Sequence, residues 1–279
     1  MEITLLVPCW RIPSVNELYL HNRETGDVFK NPDTVRMIDQ MRTFMADHYS
    51  LSMFSWLNSM SRVHIDYDFI LKRSLWRRDT SNMLKCVQDT ITRYIGIDDS
   101  QVLSIYARKS LNKNNDVEWV VCRITDSPDL LVPETKNTII IPVKYIPSVN
   151  NMYGYDCKSH QVYKEQWIHG MEWYIKDFLR KHIIKSKFNF VKNGNKFKCY
   201  YDFFLRTLYE PKGPGAVRSR DVDNLIKSIE DSIFRYFGVD DHWVVELIAR
   251  KHKIPNNGTE YVAFTIEQSD YDTSSFINR

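Results

Sequence analysis

One short run of carboxylates and amines carries the chemistry this sequence can do. Arg220-Asp221-Val222-Asp223-Asn224-Leu225-Ile226-Lys227 is followed by Asp231, Gly238 and the pair Asp240-Asp241. Asp223, Lys227 and Asp231 are spaced four apart and share one stripe of a helix. A turn at Gly238 can bring Asp241 back beside the start of that helix. Carboxylates gathered in this way repel one another, and a divalent cation with oxygen ligands is the usual remedy. Mg²⁺ suits the role and suits a phosphodiester substrate. Lys227 is placed to steady negative charge on the scissile phosphate. A plainer reading stands beside this one: Asp221 and Asp223 cap a helix, and Asp240-Asp241 form a turn.

The run occurs twice. Arg78-Asp79-Thr80-Ser81-Asn82-Met83-Leu84-Lys85 precedes Asp89, Gly96 and Asp98-Asp99, and both copies end in Ala-Arg-Lys, at Ala107-Lys109 and Ala249-Lys251. Ser81 stands where the second copy has Asp223, so the first copy has lost a carboxylate. Upstream, Ile12-Pro13-Ser14-Val15-Asn16 is identical to Ile146-Pro147-Ser148-Val149-Asn150, and Asp66-Tyr67-Asp68-Phe69 aligns with Tyr200-Tyr201-Asp202-Phe203. The second copy carries eight extra residues between Leu205 and Asp221, in the Pro/Gly-rich stretch Glu210-Ala216, which reads as a surface loop. So long a period signals domain duplication and not a solenoid.

The elements that must position these residues read alike in both copies. Strands are expected near 3–8 and 138–143, then helices near 33–49 and 165–184, then alternating strands near 63–71 and 197–206. The acidic run opens a second helix, in which Leu225, Ile229, Ile233 and Phe237 form one stripe. Gly238 fits its stop. Two strands close each copy, near 101–109 and 117–124, and near 243–250 and 260–266. The fold class expected is α+β, two tandem β-α-β-α-β-β domains with mixed sheets arranged as a pseudo-twofold dimer. The domains span 1–126, with the degenerate acidic site, and 136–268, with the complete one; 269–279 forms a C-terminal tail and Thr125–Lys136 the linker.

At 279 residues, 43% hydrophobic and 26% charged, the chain is long enough for each half to bury its own core. A net charge of +3 permits nucleic-acid binding only through a local patch. Basic residues flank both acidic runs: Arg206, Lys212, Arg218 and Arg220 in the second copy, Lys72, Arg73, Arg77 and Arg78 in the first. They suit a polyanion held over a metal, or a solvated loop. Trp76 among them is expected to pack against its own half in preference to stacking on a base. Asn16 and Asn150 hold turns in preference to touching substrate. Five dispersed cysteines without Cys-x-x-Cys argue for a reducing compartment, and no stretch has the form of a signal peptide or membrane span. The eight histidines show no ligand spacing.

Taken jointly, Arg220-Asp221-x-Asp223-Asn224-Leu225-x-Lys227, Asp231 and Gly238-x-Asp240-Asp241, with Pro147-Ser148-Val149-Asn150 upstream, resemble the signature of RusA-type Holliday junction resolvases. Both copies carry the pattern, so the resemblance covers nearly the whole chain. It implies small α+β endonucleases that work as homodimers, bind Mg²⁺ or Mn²⁺ through aspartates and cut four-way-junction DNA. By that resemblance Asp221, Asp223 and Asp241 are metal ligands and Lys227 the catalytic lysine, with Asp79, Ser81, Asp99 and Lys85 as the degenerate equivalents. The second half would cut and the first would grip DNA, in a bacterial or phage-infected cytoplasm, as an internal pseudo-dimer open to further homodimerisation. A pseudo-nuclease that binds branched DNA or a protein partner without cleavage is the competing reading.

Overall fold

The computed structural model describes residues 1–21, 28–60, 62–114, 116–126, 137–143, 146, 153–156, 161–208 and 221–274. Strand β1 (Glu2–Cys9) alternates, burying Leu5, Val7 and Cys9. A short hairpin, β2 (Tyr19–His21) with β3 (Val28–Lys30), leads to helix α1 (Pro32–His48). Pro32 occupies the first turn of α1, and the Asn31 side chain accepts a hydrogen bond from the Asp33 amide. Then follow β4 (Val63–Leu71), α2 (Thr80–Ile95), β5 (Val102–Leu111) and β6 (Glu118–Asp126).

The second half repeats the series. It comprises β7 (Thr138–Pro142), the hairpin β8 (Tyr153–Asp156) with β9 (Gln161–Lys164), α3 (Gln166–His182), β10 (Phe197–Leu205), α4 (Val222–Phe237), β11 (Val244–Lys253) and β12 (Tyr261–Gln268). The two hairpins and a 3-10 stretch at Leu51–Ser59 were not expected from the sequence. Strands of three or four residues are too short for periodicity to register.

The main strands form one mixed sheet, ordered β1-β6-β4-β5-β11-β10-β12-β7. The pairs β4–β5 and β10–β11 are parallel and the rest antiparallel, so order and direction read the same from either edge. At the centre β5 pairs with β11, with Ile105 opposite Ala249 and Ala107 opposite Leu247. Where a mixed sheet in each half was expected, the main strands of both halves join in one. One hydrophobic cluster runs from Leu5 through Ile105 and Leu247 to Ile266. The expected tail also does structural work at its start. Ser269 Oγ donates to Glu246 at 2.5 Å, the Leu111 amide donates to Thr273 O at 2.8 Å and Lys196 Nζ to Thr273 Oγ1 at 2.9 Å, which ties residues of both halves together. Of the expected linker, Thr125 and Asp126 still belong to β6 and 127–136 lie outside the described residues.

Helices α2 and α4 lie side by side over β5 and β11. Each ends at a glycine in the left-handed region, Gly96 at φ 81° and Gly238 at φ 74°, whose amides close the last turns on Thr92 O and Phe234 O. Contacts between the helices run antiparallel: Ser81 meets Glu230, and Gln88 meets Asp223. Among the described residues no helix is long and apolar enough to cross a membrane.

Candidate active site

The N-termini of α2 and α4 present the acidic residues. Asp79 and Asp221 occupy the N-cap positions in extended conformation, yet neither side chain caps its own helix. Each instead accepts from an asparagine one turn on: Asn82 Nδ2 to Asp79 Oδ2 at 2.5 Å, and Asn224 Nδ2 to Asp221 Oδ2 at 3.1 Å. Asp223 is 2% exposed. Beyond the glycine stops come two 3-10 turns, Asp99–Gln101 and Asp241–Trp243. Asp98 and Asp240 cap them, accepting from the Ser100 and His242 amides at 3.0 Å. Capping by the first aspartate of each pair leaves the second, Asp99 or Asp241, to face the helices.

These groups form two clusters, and each draws on both halves of the chain. In one, Lys85 Nζ lies 2.6 Å from Asp89 and 3.3 Å from Asp223 Oδ2, and Gln88 Nε2 donates to Asp223 Oδ1 at 3.1 Å. Asp99, which accepts from Thr92 Oγ1, acts electrostatically on both Asp221 and Asp223. Beneath them the buried Lys251 donates to Ser100 O at 3.0 Å. In the other cluster, Lys227 Nζ lies 2.8 Å from both Asp231 and Asp241 and 3.9 Å from Asp79. Ser81 Oγ donates to Glu230 Oε2 at 2.5 Å, and Tyr201 OH to Glu230 Oε1 at 3.0 Å. The buried Lys109 donates to Arg78 O at 2.9 Å and to His242 O at 2.6 Å.

The structure thus divides the expected set. Asp221 and Asp223 join Lys85 and Asp99, whereas Asp241 and Lys227 join Asp79 and Ser81. Helix length explains why. A 16-residue helix such as α4 is about 24 Å long, so the turn at its end lies far from its own start. Antiparallel packing instead sets the end of each helix beside the start of its neighbour.

Charge in the clusters is tightly balanced. Burial pushes the Asp223 carboxyl up to about 6 against the pull of Lys85. Burial, then Asp241, pushes Asp79 up to about 6. Glu230 rises to about 8, first from burial and next from Asp241. Burial alone would weaken the charges on Lys85 and Lys227, but the carboxylates around them (Asp223 and Asp89; Glu230, Asp231 and Asp241) hold both ammonium groups above their ordinary value. Without a metal, both lysines are therefore held as ammonium ions at neutral pH. Burial lowers Lys109 and Lys251 to about 8.

The donor set fits a hard divalent cation. One oxygen from each of Asp79, Asp240 and Asp241 lies within 4.8 Å of the others. Asp223 Oδ2 is buried and, among the described residues, has only the Lys85 ammonium, at 3.3 Å, beside it. All-oxygen carboxylate groups of this kind match Mg²⁺ or Mn²⁺.

The expected DNA-contact residues separate by burial. Arg73 and Arg77 are exposed, and Lys72 is half-buried, donating to Asp116 O at 2.9 Å. Arg78 is corrected from DNA contact to structural tie. It is 7% exposed, its Nη1 and Nη2 donate to the two oxygens of Glu118 at 2.8 and 2.5 Å, and Nη1 donates also to Ile12 O at 2.8 Å. Trp76 is corrected too: its ring lies 4.4 Å from that of Trp243, in the other half. Arg206 lies 3.7 Å from Glu260. Lys212, Arg218, Arg220 and Asn150 lie outside the described residues. Sequence reasoning passed over Lys109, Lys251 and Glu230. The first two were signalled by the repeated Ala-Arg-Lys, and Glu230 by its mismatch with Gln88 at the matching position.

Residues 142–262 match the family model of endodeoxyribonuclease RusA, the family the sequence resembles. The match takes in α4 and β11, and with them Asp221, Asp223, Lys227 and Asp241. No curated protein matches the chain.

Proposed function

We propose that the chain is a divalent-metal-dependent endonuclease that cuts branched, four-way-junction DNA, built by tandem duplication so that its halves form an internal dimer. The observation that carries this reading is the pairing of aspartate clusters with a fixed lysine cation across α2 and α4, in a chain whose second half matches the RusA family. The cluster of Asp221, Asp223 and Asp99 with Lys85 holds every residue type the family signature supplies. Those three aspartates would hold Mg²⁺ or Mn²⁺, which supplies Lewis-acid polarisation of the phosphate and a bound water of lowered pKa.

The residues of the chain supply the rest. Lys85, held charged by its carboxylate neighbours, stabilises the negative charge that grows on the phosphate as water attacks phosphorus. One P–O bond forms to the water oxygen, one ester P–O bond breaks, and the water proton ends on the leaving oxygen. Asn224 orients Asp221, and Gln88 orients Asp223, by direct hydrogen bonds. The exposed Arg73 and Arg77, with Lys72, Lys212, Arg218 and Arg220, are the candidates for phosphate contacts. A split into a cutting half and a gripping half does not suit this geometry, because the first half gives Lys85 and Asp99 to the cluster that contains Asp223.

The test is a labelled four-way junction with Mg²⁺ or Mn²⁺, set against linear duplex. Wild type is expected to cut the junction selectively, and Asp223→Asn to abolish incision by its cluster while retaining binding. Tight junction binding by the wild type without cleavage in either metal would sink the nuclease reading and leave a binding protein.

A further inference from the structure

Ser81 marks the second cluster as damaged, because the matching residue is Asp223. The packing of α2 on α4 gives that loss a partner. Residues 88 and 230 match one another in the repeat, and each reaches the first turn of the opposite helix. In the intact cluster the couple is an amide and a carboxylate, Gln88 Nε2 to Asp223 Oδ1 at 3.1 Å. In the other it is a carboxylate and a hydroxyl, Glu230 Oε2 accepting from Ser81 Oγ at 2.5 Å. Each couple contains one short side chain, one long side chain and one carboxylate. The carboxylate has moved from the short partner on α2 to the long partner on α4.

The position matches what an aspartate at 81 would offer. A serine Oγ stands where the aspartate Cγ would be, and a Glu230 oxygen lies one hydrogen bond from it. Both carboxylates are equally deep, Glu230 at 1% exposed and Asp223 at 2%. Glu230 is also electrostatically joined to Asp241, Lys227 and Asp79. Asp79 and Asp241 of this cluster each bring one oxygen within 4.8 Å of the other and of Asp240, a group beside which Glu230 stands as a neighbour and not as a member. Tyr201 OH donates to the other oxygen of Glu230 at 3.0 Å, so the carboxyl is held in place from both sides.

We propose that Glu230 supplies the carboxylate that Ser81 lacks, serving with Asp79 and Asp241 as a ligand of a second divalent-cation site beside Lys227, so that one chain holds two competent sites. This rests on the endonuclease reading for its consequence, incision of two strands, but the site itself can be tested without it.

The probe is Mn²⁺ alone, titrated onto the full chain and counted by the loss of the free-ion EPR signal. Wild type binds two ions, Glu230→Gln binds one, Asp223→Asn binds one, and the double variant binds none. Ser81→Asp combined with Glu230→Gln rebuilds the Asp–Gln couple and regains the second ion, which separates loss of a ligand from loss of folding. On a junction labelled strand by strand, Glu230→Gln nicks a single strand where wild type incises two. One Mn²⁺ in the wild type, or two retained in Glu230→Gln, overturns the inference while leaving the nuclease reading intact. Two ions bound as described but no incision of any junction upholds the site and overturns the nuclease reading. No ion bound by the wild type overturns both.

Discussion

The division of each cluster between the two halves can be measured as a coupling energy between Lys85 and Asp223, which lie 3.3 Å apart. The perturbations are Lys85→Met, Asp223→Asn and the double variant, in metal-free buffer. At an effective dielectric of about 20, charges 3.3 Å apart attract by about 5 kcal/mol. That figure is not what the cycle reads, because Asp223 can take up a proton when its cation is removed. With its pKa raised from 3.8 to about 6, keeping Asp223 charged in the wild type costs about 3 kcal/mol. Without Lys85 the charged form would lie about 8 kcal/mol up, whereas protonating it at about pH 7.5 costs about 5 kcal/mol. Protonation wins, and the expected coupling is the difference, about 2 kcal/mol at about pH 7.5. At about pH 5.5 Asp223 is already mostly protonated in the wild type, so the coupling falls towards zero. The assay is urea unfolding of the four proteins at both pH values. Additivity within about 0.5 kcal/mol at the higher pH would refute the cross-half cluster, since residues out of contact behave that way.

Arg78→Ala strands Glu118, 1% exposed, without its cation and is expected to cost about 3–5 kcal/mol in urea unfolding; Arg77→Ala should stay within about 0.5 kcal/mol and weaken only junction binding. An unchanged midpoint for Arg78→Ala would return that arginine to the DNA-binding set. With chelator present, the raised carboxyls make the folded state bind protons that the unfolded state has released, so stability is fullest below about pH 4 and is lost as pH rises through about 6 for Asp223 and Asp79 and about 8 for Glu230. Asp223→Asn should remove about 3 kcal/mol of that slope, and Mg²⁺ should restore most stability at the alkaline end; thermal melts across the pH range read both. Trp76→Ala should lower stability by about 1–2 kcal/mol and change the near-ultraviolet dichroism of Trp243, whereas a stacking role towards DNA alone would leave the free protein untouched.

Much of the frame was legible because its signals are local. Alternation from Phe197 to Leu205, the four-residue stripe from Leu225 to Phe237 and the glycines at 96 and 238 each report the conformation of their own segment. Residue types at the site were legible for the same reason, since Asp221, Asp223 and Lys227 crowd one helix start. What the sequence could not give was partnership. Nothing in the spacing of Asp241 distinguishes its own helix from the matching one, and the choice was made by antiparallel packing of α2 on α4 and by the β5–β11 pairing. Burial misled in the same way. Arg77 and Arg78 are adjacent and chemically alike, and only Glu118, forty residues away, decides which of them leaves solvent.

The central β5–β11 pairing has a consequence for how the protein responds to dilution. A site assembled across the seam of two separate chains disappears when the protein falls below the dissociation constant of the pair. Here the seam is an internal register, Ile105 against Ala249, and its partners are tethered in one polypeptide. Their effective concentration is set by the chain and not by the number of molecules in solution. In the internal dimer proposed above, each molecule therefore brings its assembled clusters to a rare DNA structure without first having to find a second copy of itself.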